Sequence, residues 1–203
     1  YVDSISNGRG GLQTDYNKGY EKWQKINEKG MSESVSDFEF TPLISILMPV
    51  YKPNFDFLKK AINSVSQQSY KNWELCICDD ASNDVAMSAY LESLARKEPR
   101  IKFYTRSENG HISRATNDAL VIARGELIAL IDQDDELSRD ALYHVVAAYN
   151  KQPDAEIIFS DSDKLDERGR RHHPYFKSEF NPVLFLAQNM ISHLGVFRRS
   201  TLL

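Results

Sequence analysis

The sequence has little cysteine and no long hydrophobic run. Its two cysteines, Cys76 and Cys78, lie two residues apart in an apolar segment. This spacing fits neither a CxxC metal motif nor a disulfide framework, so we interpret both as small buried apolar residues of a reducing compartment. The segment Leu43–Val50 is among the longest apolar runs and is interrupted by Pro49. We therefore expect no membrane span.

Basic residues are also in the minority. The 25 lysines and arginines are outnumbered by 29 aspartates and glutamates, which gives the 203 residues a net charge of −4. A surface that neutralises the phosphates of a nucleic acid needs a basic excess, which argues against nucleic acid as the main partner. The N-terminus lacks the basic-then-apolar order of a secretory signal, so we expect a cytoplasmic location.

Residues 1–40 differ in pattern from the rest of the chain. Tyr16, Tyr20, Trp23 and Ile26 recur at helical spacing among charged residues, which predicts a helix packed on the domain surface. The polar stretch 30–37 then predicts a linker. We therefore predict an N-terminal helical extension and linker over residues 1–40, followed by one domain over residues 41–203.

From residue 42 onward, strand-like and helix-like segments alternate. Short apolar runs predict strands at 43–48, 74–78, 101–104, 127–131 and 156–159, with amphipathic helices between them. Gly125 offers a C-terminal stop for the third of these helices. Repeated β-α-β alternation with short connections predicts an α/β fold with a mostly parallel sheet flanked by helices. A short helix near 182–188 and a strand near 194–198 are expected to complete it.

Acidic residues follow several of the predicted strands. Ligands of such sheets bind beyond the carboxyl ends of the strands. The segments found there are Pro49-Val50-Tyr51, Asp79-Asp80-Ala81-Ser82, Asp132-Gln133-Asp134-Asp135-Glu136 and Ser160-Asp161-Ser162-Asp163. We therefore expect a site rich in carboxylates along one edge of the sheet.

The segment 132–136 contains four carboxylates in five residues. Closely spaced carboxylates repel one another unless a cation lies nearby, and Mg²⁺ or Mn²⁺ takes oxygen ligands from one or two carboxylates and from substrate phosphates. The alternative is a solvated acidic turn. The position after an apolar strand, together with the acid pair Asp79-Asp80, favours the metal.

The pair Asp79-Asp80 also has an alternative interpretation, an acidic turn that leads into a helix. A carboxylate at the end of a strand is, however, well placed to accept the ring N–H of a pyrimidine.

The segment 109–114 leads into a predicted helix. Gly110 lets the backbone approach a ligand, and the N-terminus of a helix favours anions. Arg114 could add a charge to a diphosphate, or it pairs with a surface acid. His111 by itself is typical of a hydrogen-bonded loop residue.

Taken in order, these segments resemble glycosyltransferase family 2, which has the GT-A fold. The order and spacing hold across residues 41–203. The later segments Ser160-Asp161-x-Asp163-Lys164, Phe176-Lys177 and Gln188-Asn189 are similar to those of bacterial polysaccharide and O-antigen rhamnosyltransferases. The resemblance implies a metal-dependent, inverting transfer from a UDP- or dTDP-linked sugar to a glycan or lipid-linked acceptor in surface polysaccharide synthesis. A lipid-linked acceptor would bring the protein to the inner face of the membrane.

The resemblance also implies roles for particular residues. The expected metal ligands are Asp134 and Asp132, with Mn²⁺ or Mg²⁺ as the cation. The expected nucleotide-binding residues are Pro49, Val50, Tyr51, Asp79, Asp80, Asn109, Gly110, Arg114, Asp132 and Gln133. Among these, Pro49, Val50 and Tyr51 would line the base pocket and Asp79 would bind the base.

The acidic base of the family normally follows the region that ends here at Leu203. We therefore assign no catalytic residue, and we expect these residues to bind donor and metal but to transfer poorly. One alternative is a non-catalytic nucleotide-sugar-binding or scaffold domain of a larger glycosyltransferase. A phosphotransferase with an aspartate nucleophile is disfavoured because Pro-Val-Tyr follows the first strand. A dinucleotide oxidoreductase is disfavoured because no GxGxxG follows it.

Overall fold

The computed structural model describes residues 10–28, 38–166 and 168–203. These residues form two compact units. The hairpin unit contains the described residues of Tyr1–Glu33 and Asp161–Met190, and the sheet unit contains those of Ser34–Ser160 and Ile191–Leu203. The predicted linker over residues 30–37 lies outside the described residues, and the predicted division of the chain at residues 40 and 41 stays a prediction.

The helices and strands follow the predicted alternation. The hairpin unit contains α1 (Gly10–Asn27), β6 (Ser162–Leu165), β7 (Arg171–Tyr175) and α6 (Pro182–Ala187). The sheet unit contains β1 (Ile44–Val50), α2 (Phe55–Ser66), β2 (Trp73–Asp79), α3 (Val85–Lys97), β3 (Ile101–Thr105), α4 (His111–Ile122), β4 (Leu127–Leu130), α5 (Ala141–Lys151), β5 (Ile157–Phe159), β8 (Gly195–Arg198) and α7 (Arg199–Leu202).

The main sheet has the strand order β3-β2-β1-β4-β8-β5. Strands β1 to β4 are mutually parallel, whereas β8 is antiparallel to both of its neighbours, β4 and β5. The predicted mostly parallel α/β fold is therefore confirmed. Because β1, β2 and β4 are parallel neighbours, their carboxyl ends meet at one edge of the sheet.

The central strands are covered on both faces. Every residue of β2 is buried, as expected for a strand of a parallel sheet packed between helices. Helix α2 begins after Asn54, whose side chain accepts hydrogen bonds from the N–H groups of Asp56 and Phe57. It buries a stripe of Leu58, Ala61, Ile62, Ser64 and Val65.

Helix α4 packs closely on the sheet through small residues. Ala115 and Ala119 are fully buried against Leu47, Cys76 and Cys78. Both cysteines are free and buried, and burial raises the pKa of Cys76 to about 12 and that of Cys78 to about 11. They behave as small apolar core residues, as predicted. The close packing brings the first turn of α4 to the carboxyl edge of the sheet.

The hairpin unit is held by an aromatic and ionic cluster. Tyr20 on α1 donates a hydrogen bond to Asp163, and Arg171 pairs with Asp163 and with Glu28. The rings of Trp23 and Phe176 meet edge to face at 4.8 Å. The predicted aromatic helix is therefore present, with Tyr20 buried within its own unit. No helix in the described part of the chain is long and apolar enough to cross a membrane.

Candidate active site

A cavity of about 470 Å³ opens at the carboxyl ends of β1, β2 and β4. Most of the predicted nucleotide-binding residues line it: Pro49, Val50, Tyr51, Asp80, Asn109, Asp132 and Gln133. The first turn of α4 adds His111, Ile112 and Ala115. These three were not predicted as site residues. The helical pattern of α4 could have indicated that Ala115 lies on the buried face of the helix. It could not have indicated which part of the helix meets a ligand.

Tyr51 and Gln133 close one wall of the cavity by a reciprocal contact. The N–H of Tyr51 donates to the Gln133 Oε1 at 2.8 Å, and the Gln133 Nε2 donates to the Tyr51 carbonyl at 3.3 Å. The side chain of Gln133 thus fixes the backbone that carries Tyr51. Tyr51 stays 43% exposed, so its ring can offer a face on which a planar base stacks.

Asp79 is fully buried at the end of β2. Its Oδ1 accepts hydrogen bonds from the N–H and the hydroxyl of Ser82. Its Oδ2 has no hydrogen-bond partner among the described residues. A buried oxygen without a partner costs free energy that a donor on a ligand would recover.

The loop after β3 forms another part of the wall. The N–H of Gly110 donates to Asp80 Oδ1 at 2.8 Å, and the amide of Asn109 donates to the Asp80 carbonyl at 3.3 Å. Arg114 is exposed. Its side chain lies against Gly110, since a Cβ added at Gly110 would be only 2.7 Å from the Arg114 Cδ. Asp79, Gly110 and Arg114 are not among the residues that line the cavity.

An acidic group lies beside the cavity. Asp132, Asp135 and His193 each offer a ligand atom, and these atoms lie within 4.8 Å of one another. Asp134, predicted as a metal ligand, is exposed and stands outside this group. The role of Asp134 stays a prediction, and the geometry adds Asp135 and His193 to the residues that could hold a cation.

The environment of Asp132 disfavours the ionised form of its carboxyl group. Burial raises the pKa of this carboxyl, and the neighbouring Asp135 and Asp134 raise it further, while His193 lowers it. Crowded carboxylates of this kind are stabilised when a cation joins them.

The position of His193 follows from the sheet. Strand β8 runs antiparallel beside β4, with Gly195 opposite Leu130. The residues just before Gly195 therefore lie next to those that follow Leu130. No local sequence signal predicted this pairing, and a single histidine in a short apolar segment gave no reason to connect it with Asp135.

Left-handed backbone conformations gather at this edge. Lys52, Ala81, Asn83 and His111 have φ values between 43° and 64°, and each lies in a loop or helix start after β1, β2 or β3. Non-glycine residues adopt this conformation at a cost of order 1 kcal/mol or more, and such residues cluster at ligand sites.

The family model for glycosyl transferase family 2 matches residues 45–202. The chain belongs to this family. O-antigen biosynthesis protein RfbC of Myxococcus xanthus is 36% identical to this family 2 chain over 170 residues, which cover 84% of the chain and 13% of RfbC. The resemblance to family 2 is thus confirmed, with a relative in bacterial polysaccharide synthesis.

Solved structures show that this family 2 chain has the GT-A fold. S. aureus TarS 1–349 in complex with UDP-GlcNAc superposes with a TM-score of 0.64 at 19% identity, over 78% of the chain and 46% of TarS 1–349. Mannosyltransferase PcManGT from Pyrobaculum calidifontis, in complex with GDP-Man and Mn²⁺, gives 0.61 at 16% identity, over 94% of the chain and 54% of PcManGT. The chain thus spans about half of either neighbour and a small part of RfbC.

Proposed function

We propose that this chain binds the donor in an inverting sugar transfer from a nucleotide sugar to a glycan or lipid-linked acceptor of bacterial surface polysaccharide. The nucleoside diphosphate would occupy the cavity, and a divalent cation would be held by Asp132, Asp135 and His193. The observation that carries the proposal is the position of Asp132, which lines the cavity and also belongs to the acidic group. A nucleotide and a cation would therefore meet at one carboxylate.

The base pocket favours a pyrimidine with a ring N–H. Tyr51 offers an exposed side chain for stacking. Asp79 does not line the cavity itself but directly precedes the lining residue Asp80, and its buried Oδ2 has no partner among the described residues. Uracil and thymine carry a hydrogen at N3, whereas the N3 of cytosine is itself an acceptor. A site built to accept such a hydrogen rejects a ligand that lacks it. Among the pyrimidines this selects uracil and thymine over cytosine, and we propose UDP- or dTDP-linked donors.

The ligands offered for a cation are two carboxylates and one imidazole. Mg²⁺ prefers oxygen ligands alone, and an added imidazole suits Mn²⁺ better. When bound, the cation would supply positive charge for the leaving diphosphate. The Mn²⁺ and GDP-Man of PcManGT and the UDP-GlcNAc of TarS support this class of ligands. An acidic side chain would take the proton of the acceptor hydroxyl, and we assign that role to no residue of this chain.

The proposal is tested by calorimetric titration of the chain with UDP, dTDP, CDP and GDP, each with and without Mn²⁺. We expect UDP or dTDP to bind more tightly with Mn²⁺ and CDP to bind weakly. Asp132→Ala should remove the effect of Mn²⁺. Asp154→Ala, an exposed acid in the loop before β5, should not. Absence of measurable binding of all four nucleotides, with or without Mn²⁺, would contradict the proposal and favour a scaffold domain.

A further inference from the structure

Arg106 connects three segments around the cavity. It directly follows β3, and its Nε lies 2.9 Å from Asp80 Oδ1 at the end of β2. The same Nε donates to the carbonyl of Glu108 at 3.3 Å, and another guanidinium nitrogen pairs with Asp118 on α4. The side chains of Arg106 and Asp80 are only 12% and 3% exposed. The planar fork of an arginine is suited to holding several acceptors at once.

The ion pair and the cavity wall share an atom. The Asp80 Oδ1 that pairs with Arg106 also accepts the N–H of Gly110. Without the guanidinium, Asp80 would be a buried carboxylate without a positive partner. Because an unpaired buried charge costs free energy, Asp80 would have to bind water or move. Either response would disturb Asn109 and Gly110, which are both bonded to Asp80.

Packing couples the same groups. A Cβ placed on Gly110 would lie 2.6 Å from the Arg106 Nη2. The backbone of the loop at Gly110 therefore packs directly against the guanidinium of Arg106.

We propose that Arg106 is a positioning residue for nucleotide binding, acting through Asp80 and the 106–110 loop. Arg106 is not among the residues that line the cavity, so it acts without touching the ligand. This inference rests on the proposed function, because it assumes that the cavity takes a nucleoside diphosphate.

A matched control is available on the same strand. Lys102 of β3 pairs with the buried Glu74 at 2.6 Å and donates to the Ile122 carbonyl at 2.9 Å. Lys102 lies near the amino-terminal end of β3, whereas Arg106 follows its carboxyl end. Lys102→Met and Arg106→Ala therefore each break an ion pair to a buried carboxylate, and Arg106→Ala also removes the pair with Asp118. Only the pair between Arg106 and Asp80 adjoins the cavity.

The test measures UDP and dTDP affinity with Mn²⁺, together with the melting temperature. We expect both variants to melt below the parent chain, while only Arg106→Ala weakens nucleotide binding, by at least about tenfold. Arg106→Lys keeps the charge but not the fork, so it should recover stability more fully than affinity. Wild-type affinity in Arg106→Ala would overturn the inference and leave the proposed function intact. A parent chain that binds neither nucleotide would overturn both.

Amide hydrogen exchange provides a second readout in the free protein. Arg106→Ala should speed exchange at Gly110 relative to the parent chain, and Lys102→Met should not. Unchanged protection of Gly110 in Arg106→Ala would show that Asp80 holds the loop without the guanidinium and would overturn the inference.

Discussion

The Nδ1 of His193 lies 3.0 Å from the Oδ2 of Asp135. The two residues are distant in sequence and meet because β8 is inserted beside β4 in the antiparallel direction. Asp132 completes the group and extends it to the cavity. The ligand atoms of Asp132, Asp135 and His193 lie within 4.8 Å of one another, and the predicted ligand Asp134 is not part of this group.

Asp135→Asn and His193→Ala should each weaken Mn²⁺ binding by roughly tenfold or more, since each removes one ligand atom from the group. Asp134→Asn is the matched control, because Asp134 is exposed and outside the group, and its effect should be clearly smaller. Calorimetric titration with Mn²⁺ measures the three affinities. A larger loss in Asp134→Asn than in Asp135→Asn would support the assignment of Asp134 from sequence.

Asp132→Asn should stabilise the metal-free chain while removing stabilisation by Mn²⁺. Burial and two neighbouring carboxylates raise the pKa of Asp132. A carboxyl whose pKa rises on folding disfavours the folded state once it is ionised, so a neutral amide relieves this cost at pH 7. Urea unfolding with and without Mn²⁺ measures both effects. Lower stability of the metal-free variant would show that the contacts of the Asp132 carboxylate stabilise the fold more than its burial and repulsion destabilise it.

Glu74→Gln should lower the free energy of unfolding by about 2 kcal/mol at pH 7. Burial opposes ionisation of Glu74, but hydrogen bonds from Lys102, Ser45 and the backbone of Arg124 outweigh it and hold the pKa below 4.5. A depressed carboxyl pKa gives stability that is present above the unfolded-state pKa and is lost as pH falls through the folded one.

The difference between the parent chain and Glu74→Gln should therefore shrink as the pH falls below about 4.5. Urea unfolding at several pH values checks this. Glu92→Gln breaks an exposed pair with Arg96 and should have little effect at any pH. A difference that is independent of pH would mean that Glu74 acts by packing rather than by charge.

Gly125→Ala should destabilise the chain by about 2 kcal/mol or more. A Cβ there would lie 2.6 Å from the Leu43 carbonyl, the Ser45 N and the Ser45 Oγ, and backbone atoms cannot move aside cheaply. Gly19→Ala is the contrast, because nothing lies within 4 Å of that position on α1 and alanine favours a helix. Thermal unfolding should show a loss for the first variant and none for the second.

Much of the fold could be predicted because its signals are local. Buried strands produce short apolar runs, as at 43–48 and 74–78, and amphipathic helices produce apolar stripes. Gly125 shows the limit of such signals. It was predicted as a helix stop, and α4 does end just before it, with its C-cap at Ala123. Gly125 also packs against Leu43 and Ser45, which the sequence did not indicate. A glycine needed for close approach and one needed for a turn look alike in sequence.

The site was predicted from motif order and the edge at which parallel strands end. That reasoning identified Tyr51, Asp80, Asn109 and Gln133, which the fold brings around one cavity. It did not identify Arg106, because an arginine after a strand has many possible partners. The choice depends on which carboxylates lie nearby, here the buried Asp80 and the half-buried Asp118.

The sequence by itself determined the alternation of strands and helices and the acidic edge, because periodicity and the residues that follow each strand are properties of neighbouring positions. Only the tertiary structure decided that β8 lies between β4 and β5 and that His193 meets Asp132 and Asp135. Strand pairing between distant segments depends on which edges remain free once the parallel strands have assembled, and no local pattern encodes that outcome.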